Sequence, residues 1–337
     1  MHMSQTDMPN RFPFTDMPTG WFAVAASHEI APGMVKPIHN FGVDLVLYRT
    51  ASGTAMVTDP YCPHLGAHLG YGGTVEGELL RCPFHHWKFD TAGRCAEVPF
   101  APAPGAARLK VWPTSEHNDM IFVWYDLTGR PPSWNMPDFE KTLSPDLQGF
   151  ATYDGLKTWP QEVLENGADW LHFFTIHQTR QLTGRIEADS DGAHHLVFRF
   201  ETKDFATDSA MDHFRGGVDF YGPGYARNLS WGKPFPNLTV EHSVYVTPVD
   251  HGTIQIRSMH RIVPDAENKT PVDVLKQIFA GLAPEIKRQL EQDVVIWEKK
   301  VYMPRPMLAG SDGPILKYRE WYRQFYPNDP GASRAVA

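Results

Sequence analysis

Two short Cys–His pairs constrain this chain more than any other feature. Cys62-Pro-His64 is followed, after 17 intervening residues, by Cys82-Pro-Phe-His85. Each pair lies in a stretch rich in Gly and Pro, including Leu65-Gly66, Gly70 and Gly72-Gly73. Such stretches are loops, and each is expected to turn a thiol and an imidazole toward one point. Two thiolates and two imidazoles can hold a [2Fe–2S] cluster, with both Cys on one iron and both His on the other. The neutral histidines set its potential well above that of an all-Cys cluster. The competing reading is a single tetrahedral zinc held by two Cys and two His. Zinc fingers place their Cys pair before their His pair, whereas each pair here is mixed. A third reading, buried Cys beside surface His, needs all four positions to match by accident.

At 337 residues the chain is long enough for two domains with a sizeable buried interior. With 42% hydrophobic and 21% charged residues it reads as globular rather than disordered or fibrous. A net charge of −8 gives no basic footprint for nucleic acid. No run approaches the roughly 18 apolar residues that span a bilayer, and the opening MHMSQTDMPNRFPF lacks the basic and apolar regions of a signal peptide. Three cysteines, Cys62, Cys82 and Cys95, make no disulfide framework. A reducing compartment, the cytoplasm, is the expectation, with Cys95 a buried structural thiol.

Short strands are expected from Gly20 to about Asp126, at Gly42–Tyr48, Thr54–Thr58 and Asp119–Tyr125. The proline-rich run Gly129–Pro137 reads as a linker. Beyond it come a helical segment, Gln161–Thr175, then strands at His194–Phe200, Val218–Tyr221, Leu238–Val246 and Thr253–Ile262, then a long helical pattern from Val272 to Tyr302. This order predicts an α+β chain: an all-β domain over 18–130, an antiparallel sheet with helices on one face over 131–328, and a tail at 329–337.

Glu165–His177 holds the second constellation, Asp169, His172 and His177. Asp169 and His172, three apart, share a face if the segment is one helix. His172 and His177 are five apart, about 140° around an ideal helix. Both face one metal only where the helix ends or bulges between them; otherwise they are stray histidines of an amphipathic core helix. After Pro284 a stripe of Ile286, Leu290, Ile296 and Trp297 includes Asp293, while Glu291 falls on the solvated side with Lys287 and Glu298. A core-facing carboxylate without a partner is costly, so Asp293 is expected to be metal-bound or ion-paired to an arginine.

The segment CPHLGAHLG…LLRCPFHHWKFD resembles the Rieske domain of ring- and steroid-hydroxylating oxygenases. Asn166-x-x-Asp169-x-x-His172-x₄-His177 resembles the mononuclear iron motif of the same Rieske non-haem iron oxygenases. The likeness runs from about Gly20 to Tyr326. Within the family it points to the oxygenase component of 3-ketosteroid 9α-hydroxylase and its cholesterol-desaturase-like relatives, through Gln292–Trp297 and Gly313-Pro…Glu320-Trp-Tyr-Arg-Gln-Phe-Tyr326. The resemblance implies Cys62, His64, Cys82 and His85 on the cluster, and a facial triad of His172, His177 and Asp293 on iron(II) with open positions for O₂ and substrate. It implies a helix-grip-like catalytic domain and a head-to-tail homotrimer in which Asp169 links His85 of one copy to His172 of the next. Asn166 is expected to cap or hydrogen-bond near the iron. Two residues depart from the family pattern, His68 and His86, the latter where a small or acidic residue is more usual.

The implied reaction is hydroxylation of a bulky apolar substrate, a steroid foremost, by O₂ and two electrons. O-demethylation or desaturation of another terpenoid or aromatic is the alternative. No nicotinamide or flavin motif is present, so NAD(P)H serves through a separate reductase (flavin or iron–sulfur) or a ferredoxin. Arg81, Lys88 and Arg94 form an expected docking patch, and aromatics within Phe214–Tyr225 an expected pocket wall or sheet core. Two other classes remain: an electron carrier with a dead second domain, and a sterol-binding protein with incidental iron.

Overall fold

Apolar runs decide where the strands lie. The computed structural model describes residues 11–139, 141–178, 182–187, 194–202, 214–232 and 235–328, so the expected tail at 329–337 lies outside the described residues. Two compact units form. The first holds Trp21–Asp138 and Val249–His251; the second holds Phe139–Pro248 and Gly252–Ala337 with the described residues of Met1–Gly20.

The first unit is all-β. Its strands are β1 (Gly20–Ala26), β2 (Val35–Asn40), β3 (Val43–Arg49), β4 (Ala55–Thr58), β5 (Thr74–Glu76), β6 (Leu79–Arg81), β7 (Lys88–Phe89), β8 (Cys95–Glu97), β9 (Val111–Trp112), β10 (Thr114–His117) and β11 (Met120–Tyr125). They form three small sheets ordered β1-β11-β10, β2-β3-β4-β9 and β5-β6-β7-β8. In β3, Leu45 to Tyr48 are all sealed from solvent, so this strand is buried on both faces, as its unbroken apolar run requires. The expected linker is packed rather than loose. The Trp134 carbonyl accepts the Trp21 indole N–H at 2.8 Å, and Met136 is buried.

The second unit is built on one antiparallel sheet of seven strands: β12 (Gln148–Leu156), β13 (Leu182–Glu187), β14 (His195–Thr202), β15 (Phe214–Tyr221), β16 (Tyr225–Gly232), β17 (Phe235–Asp250) and β18 (Thr253–Pro264), in the order β12-β18-β17-β16-β15-β14-β13. Residues alternate between its faces. Phe198, Val218, Phe220, Ala226, Val244 and Ile256 face one way, into a core shared with the helices. Tyr221, Tyr225 and Tyr245 face the other way and stack on one another. The Phe214–Tyr225 aromatics thus divide between core and opposite face, and the Phe214 side chain lies outside the described residues.

The helices are α1 (Pro160–Leu164), α2 (Trp170–Thr175), α3 (Val272–Trp297) and α4 (Ile315–Tyr322). The single helix expected over Gln161–Thr175 is divided by a 3₁₀ turn, Glu165–Ala168, and by Asp169 at φ −91°, ψ 89°. The long helix stops at Trp297 rather than Tyr302. There the Arg11 guanidinium donates to the carbonyls of Trp297 at 2.8 Å and Lys300 at 2.7 Å, satisfying groups that a helix end leaves orphaned. Leu290, Asp293 and Trp297 are buried as the stripe predicts, but Ile296 is exposed, because it sits at the stripe's margin.

The C-terminal segment clamps the α1 region. Arg319 on α4 makes a two-pronged, largely buried ion pair with Glu165, at 2.5 and 2.7 Å. The Tyr318 hydroxyl donates to the Gln161 carbonyl at 3.1 Å, and the Tyr326 hydroxyl to the Gln161 side chain at 3.1 Å. At Gly313 (φ +83°) any Cβ would lie 2.4 Å from the Ala168 carbonyl, so only glycine lets this turn close on Ala168. Replacing Arg319 by Met leaves Glu165 buried without its partner, and removing one member of a buried pair costs about 3–5 kcal/mol. The Arg319→Met protein is therefore expected to lose on the order of 3 kcal/mol in chemical denaturation followed by circular dichroism; an unchanged midpoint would show that the clamp carries no stability.

Candidate functional site

The two Cys–His pairs occupy equivalent positions in two loops of the first unit. The Cys62 N–H donates to the Ala67 carbonyl at 2.9 Å and the Cys82 N–H to the Trp87 carbonyl at 2.8 Å, so each loop closes five residues after its cysteine. Both cysteines are buried at the loop roots against Leu69, Leu80 and Phe89. The histidines stand farther out, half-buried, with ring centroids 4.7 Å apart, and Trp87 stacks on His64 at 4.3 Å. His64 Nδ1 is sealed from solvent without a hydrogen-bond partner. An orphaned buried nitrogen is costly in a bare protein, and a metal bond removes that cost. Burial pushes the Cys62 thiol up to about 11, and a cluster reverses this by holding the thiolate.

Among the described residues, His172, His177 and Asp293 are the one group of three or more His, Cys, Asp or Glu side chains whose ligand atoms all lie within 4.8 Å. The loop pairs do not converge that tightly, as one tetrahedral ion would require; their spread suits two irons. Nearby details explain the departures. His86 adopts φ +57°, a left-handed backbone uncommon for any residue but glycine. His68 accepts the Gly70 N–H at 3.0 Å and is part of the loop's own bonding. The expected cationic patch is neutralised: Arg81 pairs with Glu76 at 2.9 Å, Lys88 with Glu97 at 2.6 Å and Arg94 with Asp90 at 2.8 Å. Cys95 is half-buried rather than buried.

The triad is assembled in the second unit. Helix α2 ends at Thr175 and Gln178 turns to φ +56°, so His177 leaves the helical path and comes back toward His172. The two rings lie 5.1 Å apart, near-perpendicular, and His177 Nε2 stands 3.3 Å from the Asp293 carboxylate. All three side chains are buried. Burial pushes the His172 imidazole down. Burial acts the same way on His177, but the Asp293 carboxylate outweighs it and raises that imidazole.

Each imidazole is oriented through Nδ1, which leaves Nε2 as the atom that could bind a metal. His172 Nδ1–H donates to the Asp169 backbone carbonyl, and His177 Nδ1–H to the Gln292 side-chain oxygen at 3.1 Å. Asp169 does not share a helical face with His172; it is the N-cap of α2, its carboxylate accepting the His172 backbone N–H at 3.3 Å. Burial raises the Asp169 carboxyl. The Asn166 side-chain oxygen accepts the Trp297 indole N–H at 3.2 Å and pins the 3₁₀ turn to α3. Sequence reasoning missed the orienting roles of Gln292 and of the Asp169 carbonyl. The first is one residue from a core-facing carboxylate, and the second is a main-chain atom with no sequence signal.

Comparison with known proteins agrees with this geometry. Residues 20–113 match the Rieske [2Fe-2S] domain, and residues 123–326 match the 3-Ketosteroid 9alpha-hydroxylase C-terminal domain. Cholesterol 7-desaturase nvd 1 of Ciona intestinalis is 32% identical, over 95% of this chain and 70% of its own. The oxygenase component of 3-ketosteroid-9-alpha-monooxygenase from Rhodococcus rhodochrous is 26% identical, over 91% of this chain and 80% of its own. The fold is that of dicamba monooxygenase bound to dicamba, with a TM-score of 0.65 at 16% identity over 92% of this chain and 97% of that one.

Fold and sites together define a Rieske non-haem iron oxygenase, an enzyme with a [2Fe–2S] cluster and a mononuclear iron, fed by a reductase or ferredoxin. The chain belongs to the family that carries the 3-Ketosteroid 9alpha-hydroxylase C-terminal domain. The residues present fit both groups: a partnerless buried imidazole nitrogen in the loops, and three converging buried ligands in the second unit. Loss of a residue that orients a metal-bound histidine typically weakens metal affinity ten- to a hundredfold. Gln292→Leu is expected to weaken iron(II) binding by about that factor in titrations of apoprotein, with the cluster's visible absorbance retained. Wild-type affinity would mean that Gln292 does not orient His177.

Proposed function

We propose that the chain is the terminal oxygenase of a multicomponent system that hydroxylates a steroid: R–H, O₂, two electrons and two protons give R–OH and water. The reading is carried by the convergence of His172, His177 and Asp293 within 4.8 Å, in a chain whose relatives bear the names of cholesterol and 3-ketosteroid enzymes. When bound, the mononuclear iron supplies dioxygen activation and the cluster supplies the electrons. His172, His177 and Asp293 would hold the iron and leave it open to O₂ and substrate. Cys62, His64, Cys82 and His85 hold the cluster. Desaturation is the second reading, favoured by the higher identity to the cholesterol 7-desaturase, 32% against 26%. It consumes the same O₂, electrons and protons and yields an alkene and two waters.

A cytoplasmic homotrimer is part of this proposal. Leu65, Phe84 and Tyr71 are exposed around the cluster loops, and Phe174, Val295 and Ile296 are exposed on the helices that bear the triad. Exposed apolar groups at both centres call for cover, which a second copy supplies by setting its loops against the triad helices. Asp169 would then link His85 of one copy to His172 of the next. None of the three cysteines is in a disulfide, which suits a reducing compartment, and no helix of the described residues is long and apolar enough to cross a membrane.

Asp293→Ala is expected to lose the mononuclear iron and keep the cluster's colour, whereas Asp169→Asn keeps both metals and slows electron transfer between them in single turnover. Full iron content in the first, or a wild-type rate in the second, contradicts the corresponding assignment. For the reaction, oxygen uptake with NAD(P)H and a reductase should rise on addition of a 3-oxygenated steroid. A product heavier by one oxygen marks hydroxylation and one lighter by two hydrogens marks desaturation; no steroid-dependent uptake rejects the substrate class.

A further inference from the structure

The helix-facing side of the seven-stranded sheet is apolar over most of its area, with Phe198, Val218, Phe220, Ala226, Val244 and Ile256 in one core. A cross-strand row interrupts it. Asn228 on β16 stands opposite His242 on β17, and His242 Nε2 bonds the Ser258 hydroxyl on β18 at 2.9 Å. The Asn228 amide donates to the His242 carbonyl at 3.0 Å, which fixes the row, and among the described residues nothing donates to the Asn228 side-chain oxygen. By strand alternation these residues share the face of Ala226, Val244 and Ile256.

This row is open where its neighbour is closed. Ala226 and Val244, the adjacent cross-strand pair, are 4% and 7% exposed. Asn228 and His242 are half-buried, as are Ser230 and Val240 in the row beyond them. His242 is nevertheless deep. Its imidazole is pushed down to about 3, by burial first and then by His260 and His177. The row lies between two buried clusters of the same face, Ala226, Val244 and Ile256 on one side and Leu238, Ile262 and Leu275 on the other, so its partial exposure marks a hollow between them. Among the described residues no group pairs with His242 Nδ1, and the nitrogen is not sealed. Polar groups facing an apolar hollow are costly unless an occupant bonds to them.

We propose that Asn228, His242 and Ser258 form the polar end of the substrate pocket, taking one hydroxyl or carbonyl oxygen at the end of an otherwise apolar molecule. The inference rests on the reading of His172, His177 and Asp293 as the oxidising centre, and it adds how the substrate is oriented toward it. If the Ser258 hydroxyl donates to Nε2, then Nδ1 carries the proton and binds a carbonyl oxygen. If Ser258 accepts, Nδ1 is bare and, with the Asn228 oxygen, accepts from a hydroxyl.

The test uses the iron-loaded protein and three ligands of one shape: a 3-hydroxysterol, its 3-ketone and its 3-deoxy hydrocarbon. Dissociation constants are read from the perturbation of the iron spectrum, with iron content and cluster absorbance confirming that each variant is intact. His242→Leu is expected to weaken the hydroxysterol or the ketone by about tenfold or more and to leave the hydrocarbon unchanged. Ser258→Ala gives a smaller loss in the same direction, and His242→Gln restores part of the affinity. Which oxygenated ligand binds wild-type protein more tightly identifies the tautomer. Equal losses for all three ligands, or none for the oxygenated pair, overturn the proposal. The steroid reading fails separately: if none of the three binds wild-type protein, the same comparison with 2-naphthol and naphthalene reads the polar row alone, and an unchanged naphthol affinity in His242→Leu overturns it.

Discussion

Two imidazoles five residues apart can share a metal only where the backbone between them leaves the α-helical path. Here α2 stops at Thr175, and the turn through Gln178 brings His177 back to a centroid distance of 5.1 Å from His172. Much of the second unit serves this interruption. A six-residue helix has too few turns to stand alone, so its start is capped by Asp169 and its approach is held by the Glu165–Arg319 pair, by Tyr318 on Gln161 and by Gly313 beneath Ala168. Helix α3 then delivers Gln292 and Asp293 together, one to the back and one to the front of the His177 ring.

The cluster loops solve a different problem with the same economy. Each is closed by the N–H of its own cysteine, which places the thiol in the apolar root and the imidazole toward the rim. A buried thiol resists ionisation, and the sealed, partnerless His64 Nδ1 is the group that a metal bond would satisfy. The surrounding cations are already paired with Glu76, Glu97 and Asp90. Exposed pairs of this kind contribute little stability, and they leave the apolar residues Leu65, Phe84 and Tyr71 as the distinctive chemistry of the rim.

Between these demands the large sheet acts as a platform. One face meets the helices with an apolar core, and the Asn228–His242–Ser258 row runs across it. An apolar substrate would gain burial anywhere on such a face, and the row we propose as its polar end would fix which way round it lies. Orientation, rather than affinity, decides which carbon meets the oxidising centre.

The sequence by itself determined what is periodic, local or fixed in spacing. The mixed Cys–His pairs, the strands of unbroken apolar residues such as Leu45–Tyr48, and the core-facing place of Asp293 between Leu290 and Trp297 were all legible, because each depends on neighbours a few residues away. Tertiary structure alone decided the rest. The interruption at Asp169, the end of α3 at Trp297 under the Arg11 guanidinium, the hold of Gln292 on His177 and the pairing of Arg81, Lys88 and Arg94 all depend on hydrogen bonds and charges brought together by folding. The Asn228–His242–Ser258 row belongs to the same class: three polar residues on three strands have no common pattern along the chain, and only sheet register sets them side by side.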